Sequence, residues 1–412
     1  MPAAPSLLIV PYRSKTGKLY SQIPTSGAGD FTVTRNTEAR RFNSAGLIES
    51  VASGIPRLDY YTSGGTAGCP ALLVEPAATN LALQSEAWNV SPWTATSGSQ
   101  GATVSGNVTT SPDGTTNADK LIEAAVTGTH FCLQSITLTS GTTYTASFFV
   151  KASERTRGRL RMSGSGAYWD LDFNLTSGTV TGGTNPFIQN FGNGWFRIGA
   201  TFTANQASNN FILFILDASG NASYTGIGTN GIFVWGAQLE TGSVATSYIP
   251  TAAASGSRSA DVISVTGAVS GSIGQTEGVL YIECESNNGE DDVFFINRSV
   301  SNGIALYKNA NNAYLGRIFH SSNSIVFTSA SGVTGTVKIA VAYKSGDSTM
   351  YLNGSRVGTL NADAITFGAA LNSLVTDKSA GFISGNKPSR IRAVALYTTR
   401  LTDAELATLT TP

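Results

Sequence analysis

The stretch from Gly231 to Asp261, GIFVWGAQLETGSVATSYIPTAAASGSRSAD, constrains this chain more than any other. It begins as an apolar run of strand length, Ile232 to Trp235, and passes through Gly236 and Gly242 to Tyr248-Ile-Pro250. It then dissolves into Ala, Ser and Gly. A strand that runs out into small polar residues marks the end of one β-domain and the start of a linker to a second. On both sides of this seam the apolar runs are short and bounded by Gly, Asn and Ser. With 45 glycines in 412 residues, long helices are nearly excluded and many turns are expected.

Before the seam, His130 to Leu138 and Tyr144 to Val150 alternate around a turn at Gly141, as a hairpin would. RLRMSGSGAYWDLDFN, GWFRIGATFTA and FILFILD supply further strands, enough for a two-sheet sandwich. After the seam, VKIAVAYKSGDSTMYLNGSRVG reads as a hairpin with a second reversal at Asn353-Gly354. Thr402 with Glu405 forms a capping box before a short helix. The expected fold class is all-β, with two antiparallel β-sandwich domains and an extended N-terminal segment. The expected divisions are 1–85 for that segment, 86–252 for the first sandwich, 253–262 for the linker and 263–412 for the second sandwich. The N-terminal segment has too little apolar material to fold alone, so it is expected either to lie along the following domain or to dock on another protein.

Charged residues are 13% of the chain and sum to zero, which leaves no electrostatic footprint for nucleic acid or an anionic membrane. Leu7 to Val10 is too short for a signal-peptide core and no basic leader precedes it. No run approaches the roughly 20 apolar residues that span a bilayer. The expectation is therefore a protein without signal peptide or membrane insertion. Cys69, Cys132 and Cys284 have no metal-ligand spacing and are expected as buried small hydrophobes.

Several phrases carry a family resemblance. WGAQLETGS-ATSYIPT followed by R-ADV, R-FNSAGLIESVASGIPRLDY followed by CPALLVEPAATNLALQSEAW, and PDGT-NADKL, LTSGTTYTASFFVKA and NGWFRIGATFTA resemble tailed-bacteriophage virion appendage proteins of tail-fibre, head-fibre or decoration type. In those proteins similar wording precedes or builds a jelly roll of carbohydrate-binding-module type. The last 150 residues resemble the concanavalin-A-like, laminin-G-type domain. The resemblance implies a virion location on tail or capsid, synthesis in the host cytoplasm, and docking on other virion proteins through the N-terminal arm. It also implies adhesion to host-surface polysaccharide and a homo-oligomer, trimers included, although no coiled-coil heptads are present. A purely structural decoration protein is the alternative, and a glycan depolymerase the third reading.

Jelly rolls hold glycans by stacking an exposed ring on a sugar face. Trp195 and Trp235 lie in apolar strand patterns and are expected in the core. Tyr168 and Trp169 are adjacent on a strand, so one ring must look away from the core. Trp93 lies in the loop-like SPWTATSGSQ. Trp93, Tyr168 and Trp169 are therefore the glycan-binding candidates. Arg57, Asp59 and Glu75 are read as a local ion pair or part of a groove, and Arg258 with Asp261 as a local pair.

No catalytic residue is assigned and no cofactor is expected. Glu283 and Glu285 share one strand face, as glycosidase carboxylates do, but position 287 is Asn where the ladder needs a third acid, and an edge strand's wet face explains them. His130 and His320 stand in no acid-His-Ser pattern. Asp291, Asp292 and Asp347 are weak candidates for a structural Ca²⁺, the solvated acidic turn being the commoner use of such residues.

Overall fold

The computed structural model describes the chain except residues 1–3, 96–100, 165–166, 268, 287–290, 298, 300, 322 and 379–386, together with the side chains of 167, 168, 286, 291 and 292. The fold is nearly all β. Among the described residues every strand pairing is antiparallel, and the single α-helix is Asp403–Thr410, capped by Thr402 and Glu405 as the capping box predicts. No described helix is long and apolar enough to cross a membrane.

The first sandwich packs the sheet of Thr127–Thr137, Ser208–Leu216, Arg157–Gly164, Ala167–Asn174 and their edge strands against a six-stranded sheet. That second sheet runs Ala102–Thr109, Ala118–Glu123, Gly231–Thr241, Thr143–Ala152, Trp195–Thr203, Thr184–Asn190. Between them lie Phe148, Val150, Leu160, Ile198, Phe211, Leu213, Ile232 and Val234, all essentially sealed from solvent.

Gly236 does more in the strand Gly231–Thr241 than punctuate it. It has φ +63°, and the pairing with Thr143–Ala152 slips there, so that Trp235 faces Phe149 while Gln238 faces Ser147. An L side chain is strained at that φ, and a Cβ would press on the Phe149 ring at 2.8 Å. The bulge shifts the alternation by one residue. Phe233 and Trp235 before it, and Gln238 and Glu240 after it, thus all project from the outer face of the sheet.

The second sandwich differs from expectation. Its strands do not begin at residue 263. Leu7–Ile9 and Ala67–Val74 both pair with the last strand, Ser389–Tyr397, and Phe31–Thr34 pairs with Val262–Thr266. Leu7, Ile9, Leu19, Phe31, Val33, Leu58, Leu72 and Val74 are buried in one core with Leu280, Ile282, Val341, Ile391 and Val394. The N-terminal segment is not an arm held out for another protein: its apolar residues, too few for a core of their own, complete a sandwich whose other half arrives after residue 261. The first sandwich is an insertion within the second.

The linker also differs. Gly256–Arg258 pairs with Ala78–Asn80, so the strands leading into and out of the insertion form a two-stranded ribbon. Asn80 fastens it: its amide donates to Ala237 O and Ile249 O, and its Oδ1 accepts from Ala82 N and Leu239 N. The expected linker of small residues is a hydrogen-bonded neck. Cys132 and Cys284 are buried as expected, whereas Cys69 is exposed.

Because Phe31 belongs to the core of the second sandwich, Phe31→Ala is expected to destabilise that sandwich by about 3–5 kcal/mol, the usual cost of deleting a sealed aromatic ring. Urea unfolding of the full chain checks this, and an unchanged midpoint would place Phe31 outside the core.

Candidate functional site

The neck is built around a buried charge cluster. Arg57 donates through Nη1 to Glu75 Oε2 at 2.5 Å and through Nη2 to Asp261 Oδ2. Arg35 reaches Asp261 Oδ1 at 3.1 Å, and Arg258 reaches Glu75 Oε2 at 3.1 Å. All five side chains are at most 2% exposed. The remaining lone pairs and protons are largely used: Ser247 N and Oγ donate to Glu75, Glu75 N donates to Asp261, and Arg35 binds the carbonyls of Thr37, Val51, Ala52 and Ile55. Arg57 and Glu75 do form an ion pair, as the sequence reading allowed, whereas Arg258 pairs with Glu75 and not with Asp261. The partners come from stretches far apart in the chain, which sequence proximity could not show.

Burial on its own would raise the Glu75 carboxyl, but Arg258, Arg57 and the Ser247 hydroxyl outweigh it and hold it at about 2. Burial also opposes charge on Arg57, and there Asp261 and Glu75 reverse the direction and raise it. Glu240, on the outer face beyond the Gly236 bulge, is different: burial raises its carboxyl despite Arg197 nearby and donors from Thr246 and Gln238.

Beside this cluster a cavity of about 270 Å³ opens where insertion and host sandwich meet. Phe42, Tyr61 and Phe191 make an aromatic wall, with centroids 5.6 Å (Phe42–Tyr61), 5.7 Å (Phe42–Phe191) and 5.0 Å (Tyr61–Phe191) apart. Arg40, Asp59, Glu75, Gln189, Arg197, Glu285 and Arg390 supply polar groups. Several are already committed: Asp59 and Glu285 both bind Arg390, and Glu285 also binds Arg392. Others are not. The Tyr61 hydroxyl and the Gln189 amide have no hydrogen-bond partner among the described residues, and Arg40 has only a loose 3.5 Å contact with the exposed Glu38. Burial raises the Tyr61 hydroxyl to about 12, so it stays a neutral donor. A second cavity of about 440 Å³, lined by Thr145, Asn185, Thr201, Ser243 and Asn312, shares Gln189 and Ala245 with the first.

No family model matches the sequence, and no curated protein does. Solved structures give partial likenesses. The carbohydrate-binding module CBM40 of Ruminococcus gnavus IT-sialidase is 15% identical over 33% of this chain and 84% of that one, with a TM-score of 0.28. A leech intramolecular trans-sialidase is 18% identical over 33% and 23%, and a botulinum neurotoxin C/D mosaic receptor-binding domain 11% over 36% and 40%, both at a TM-score of 0.28. The chain thus spans less than half of the latter two. Likenesses at this level carry nothing about ligand or activity, and the all-β fold rests on the strand pairing itself.

The sequence-expected aromatic candidates do not meet at this cavity. Trp93 is 6% exposed, stacked on Trp88 at 4.1 Å, and its indole N–H is bound by the carbonyls of Leu83 and Gln84. It is a core ring, because the residues just after it, Thr94–Ala95, form a short strand paired with Thr127–Thr137 at the edge of the sheet. Trp169 is half-buried against Phe202, on the core side of its strand. The Tyr168 side chain lies outside the described residues. Trp195 and Trp235 are buried as expected, though on the outer face of their sheet, with Phe149 and Tyr248 under the N-terminal segment.

Glu283 and Glu285 lie not on an edge but on Glu277–Ser286, between Gly335–Lys344 and Ser389–Tyr397. The Glu285 carboxylate is committed to ion pairs with Arg390 and Arg392. The side chains of Asp291 and Asp292 lie outside the described residues, and Asp347 pairs with Arg400 at 2.9 Å. Among the described residues no three His, Cys, Asp or Glu side chains gather as metal ligands would. Sequence reasoning missed Arg40, Phe42, Tyr61, Gln189, Phe191 and Arg197. The one usable signal was the charge spacing at Arg57, Asp59 and Glu75, since Asp59 and Glu75 do line the cavity while being spent in ion pairs.

The neck makes a pH prediction with a definite sign. A carboxyl held at about 2 in the folded chain and near its ordinary 4.5 when unfolded stabilises the fold at all pH above about 4.5, and that contribution is lost as pH falls towards 2. Glu240, shifted the other way, partly offsets the loss. In Glu75→Gln the buried guanidiniums lose a counter-charge, so stability at neutral pH is expected to fall by about 3–5 kcal/mol and the acid limb to flatten. Urea midpoints measured from pH 7 to pH 3 test both, and parallel acid limbs in the two proteins would count against the assignment.

Proposed function

We propose that this chain is a non-enzymatic virion protein of a tailed bacteriophage that adheres to host-surface glycan through the cleft between its two sandwiches. The observation that carries the binding reading is the combination of an aromatic wall with unspent polar groups. Tyr61 and Phe191, half-buried and backed by the buried Phe42, offer ring surface to the C–H faces of a sugar, while the Tyr61 hydroxyl and the Gln189 amide offer donors and acceptors to its hydroxyls. Groups already satisfied by their own protein gain little from a ligand, whereas unpaired groups at a concave site gain a full hydrogen bond. The virion assignment is supported by the phrase resemblance alone. The site has moved relative to the sequence reading, from exposed tryptophans on one jelly roll to a junction made by both sandwiches.

One observation favours the structural alternative. Phe131 and Leu133, half-buried, stand beside Ile212, Phe214 and Leu216 on the outer face of the first sandwich, an apolar strip of the kind that meets another subunit.

In binding of the full chain to a microbial glycan array and to host cells, Tyr61→Phe and Gln189→Ala are each expected to weaken affinity about tenfold, the loss of one good hydrogen bond. Neither removes a group on which the fold depends, so urea midpoints should not move. Glycan binding that survives both changes would place the site elsewhere, and absence of any glycan or cell binding would favour the structural reading.

A further inference from the structure

We infer that the ligand of the cleft is an acidic polysaccharide, with a carboxylate-bearing sugar against Arg40 and Arg197 and neutral sugars running on into the adjoining cavity. This rests on the glycan reading above and adds the ligand's charge and direction.

The charge argument starts at Arg197. It lines the first cavity, is 4% exposed, and has no carboxylate within ion-pair distance among the described residues. Its Nη1 donates to Thr246 O at 2.6 Å and its Nη2 to Ser147 Oγ at 3.0 Å, both neutral acceptors, and its Nε has no partner. A buried cation with no carboxylate in direct contact is expensive and is stabilised by any anion brought close in a low-dielectric site. Glu240 acts on it only from beyond ion-pair distance, and takes its hydrogen bonds from Thr246 and Gln238 instead.

The rest of the wall has the same bias. Four guanidiniums line the cavity, those of Arg40, Arg41, Arg197 and Arg390, against the carboxylates of Asp59, Glu75 and Glu285, and Arg41 is itself bound by Glu49 at 2.6 Å. Each of those carboxylates is already bound by arginine, Glu75 by Arg57 and Arg258, the other two by Arg390. Arg40 is the accessible member without a firm partner: its only ion-pair contact among the described residues is with Glu38, which is 59% exposed and screened by solvent. A planar guanidinium of this kind recognises a carboxylate through paired N–H donors.

The direction comes from the second cavity. Thr145, Asn185, Thr201, Ser243 and Asn312 bring hydroxyls and amides but no ionised group to its lining. Because Gln189 and Ala245 line both cavities, a chain of sugars passes from a charged, aromatic end to a neutral, amide-rich end without leaving protein. Gln189, its amide unpaired, stands at the crossing.

The test uses the full chain on a glycan array containing uronic-acid, sialic-acid, sulfated and neutral microbial polysaccharides. The best-bound acidic glycan is then compared with its carboxyl-reduced form, in which each carboxylate has become a primary alcohol. The expected result is selection of carboxylated glycans, about a tenfold loss on carboxyl reduction, and weakening with added salt. Arg40→Gln is expected to lose about the same factor for the native glycan and almost nothing for the reduced one. That selectivity ratio would not move if Arg40 were merely structural. Preference for neutral or sulfated glycans, or indifference to carboxyl reduction, overturns this inference and leaves the glycan reading standing. A chain that binds no glycan overturns both.

Discussion

Arg57 holds the molecule's two halves in one arrangement. Its guanidinium lies between Glu75, the residue before the chain leaves the host sandwich, and Asp261, the residue at which it returns. Arg258 and Arg35 close the cluster from either side. A set of charges this deeply buried is not a large source of net stability, because removing each ion from water costs several kcal/mol that the pairing must first recover. Its effect is on alternatives. Any other seating of the insertion would leave a buried arginine or carboxylate alone, and that penalty is far larger than the gain from the correct pairing. In a chain with only 13% charged residues, placing so many of them at one junction gives that junction a single low-energy geometry.

The cleft depends on this geometry. Its wall is assembled from the N-terminal segment (Arg40, Phe42, Tyr61), the insertion (Gln189, Phe191, Arg197) and the returning second sandwich (Glu285, Arg390), and none of these stretches holds it alone. A binding site shared between two sandwiches is only as well ordered as the angle between them. The charge cluster holds that angle, and the Asn80 hydrogen bonds fasten the Ala78–Asn80 and Gly256–Arg258 ribbon to the first sandwich. The Gly236 bulge contributes from further off, since without it Gln238 and Glu240 would point into the first core instead of towards Arg197 and Thr246.

The parts of this architecture legible in the sequence are the local ones. Alternation and turn residues located the Gly335–Lys344 and Ser348–Leu352 hairpin, and the Thr402–Glu405 pair located the helix. What periodicity reports is which residues share a face, not which strand lies alongside, and so it could not show Leu7 pairing with Leu396 or Val74 with Ser389. The same limit explains the site. Phe42, Tyr61 and Phe191 are unremarkable in their own segments and become a wall only when the insertion folds back over the host. Trp93 failed for a neighbouring reason: its flanks read as an exposed loop, but Thr94–Ala95 pairs with Thr127–Thr137 and the ring stacks on Trp88, five residues before it.

Insertion on this scale is less costly than the sequence separation suggests. Glu75 N and Asp261 Oδ2 are hydrogen-bonded across 186 positions, yet the entropy of closing a flexible loop grows only with the logarithm of its length, by about 0.6 kcal/mol per doubling. Even that cost falls once the first sandwich is folded, because its own edges bring Ala78–Asn80 and Gly256–Arg258 to a single ladder spacing. The host sandwich then closes a short gap rather than a long loop, and the charges waiting on either side of that gap find partners as it closes. The insertion that interrupts the host core is thus also what brings the two parts of that core together, and the cleft lies on the seam where they meet.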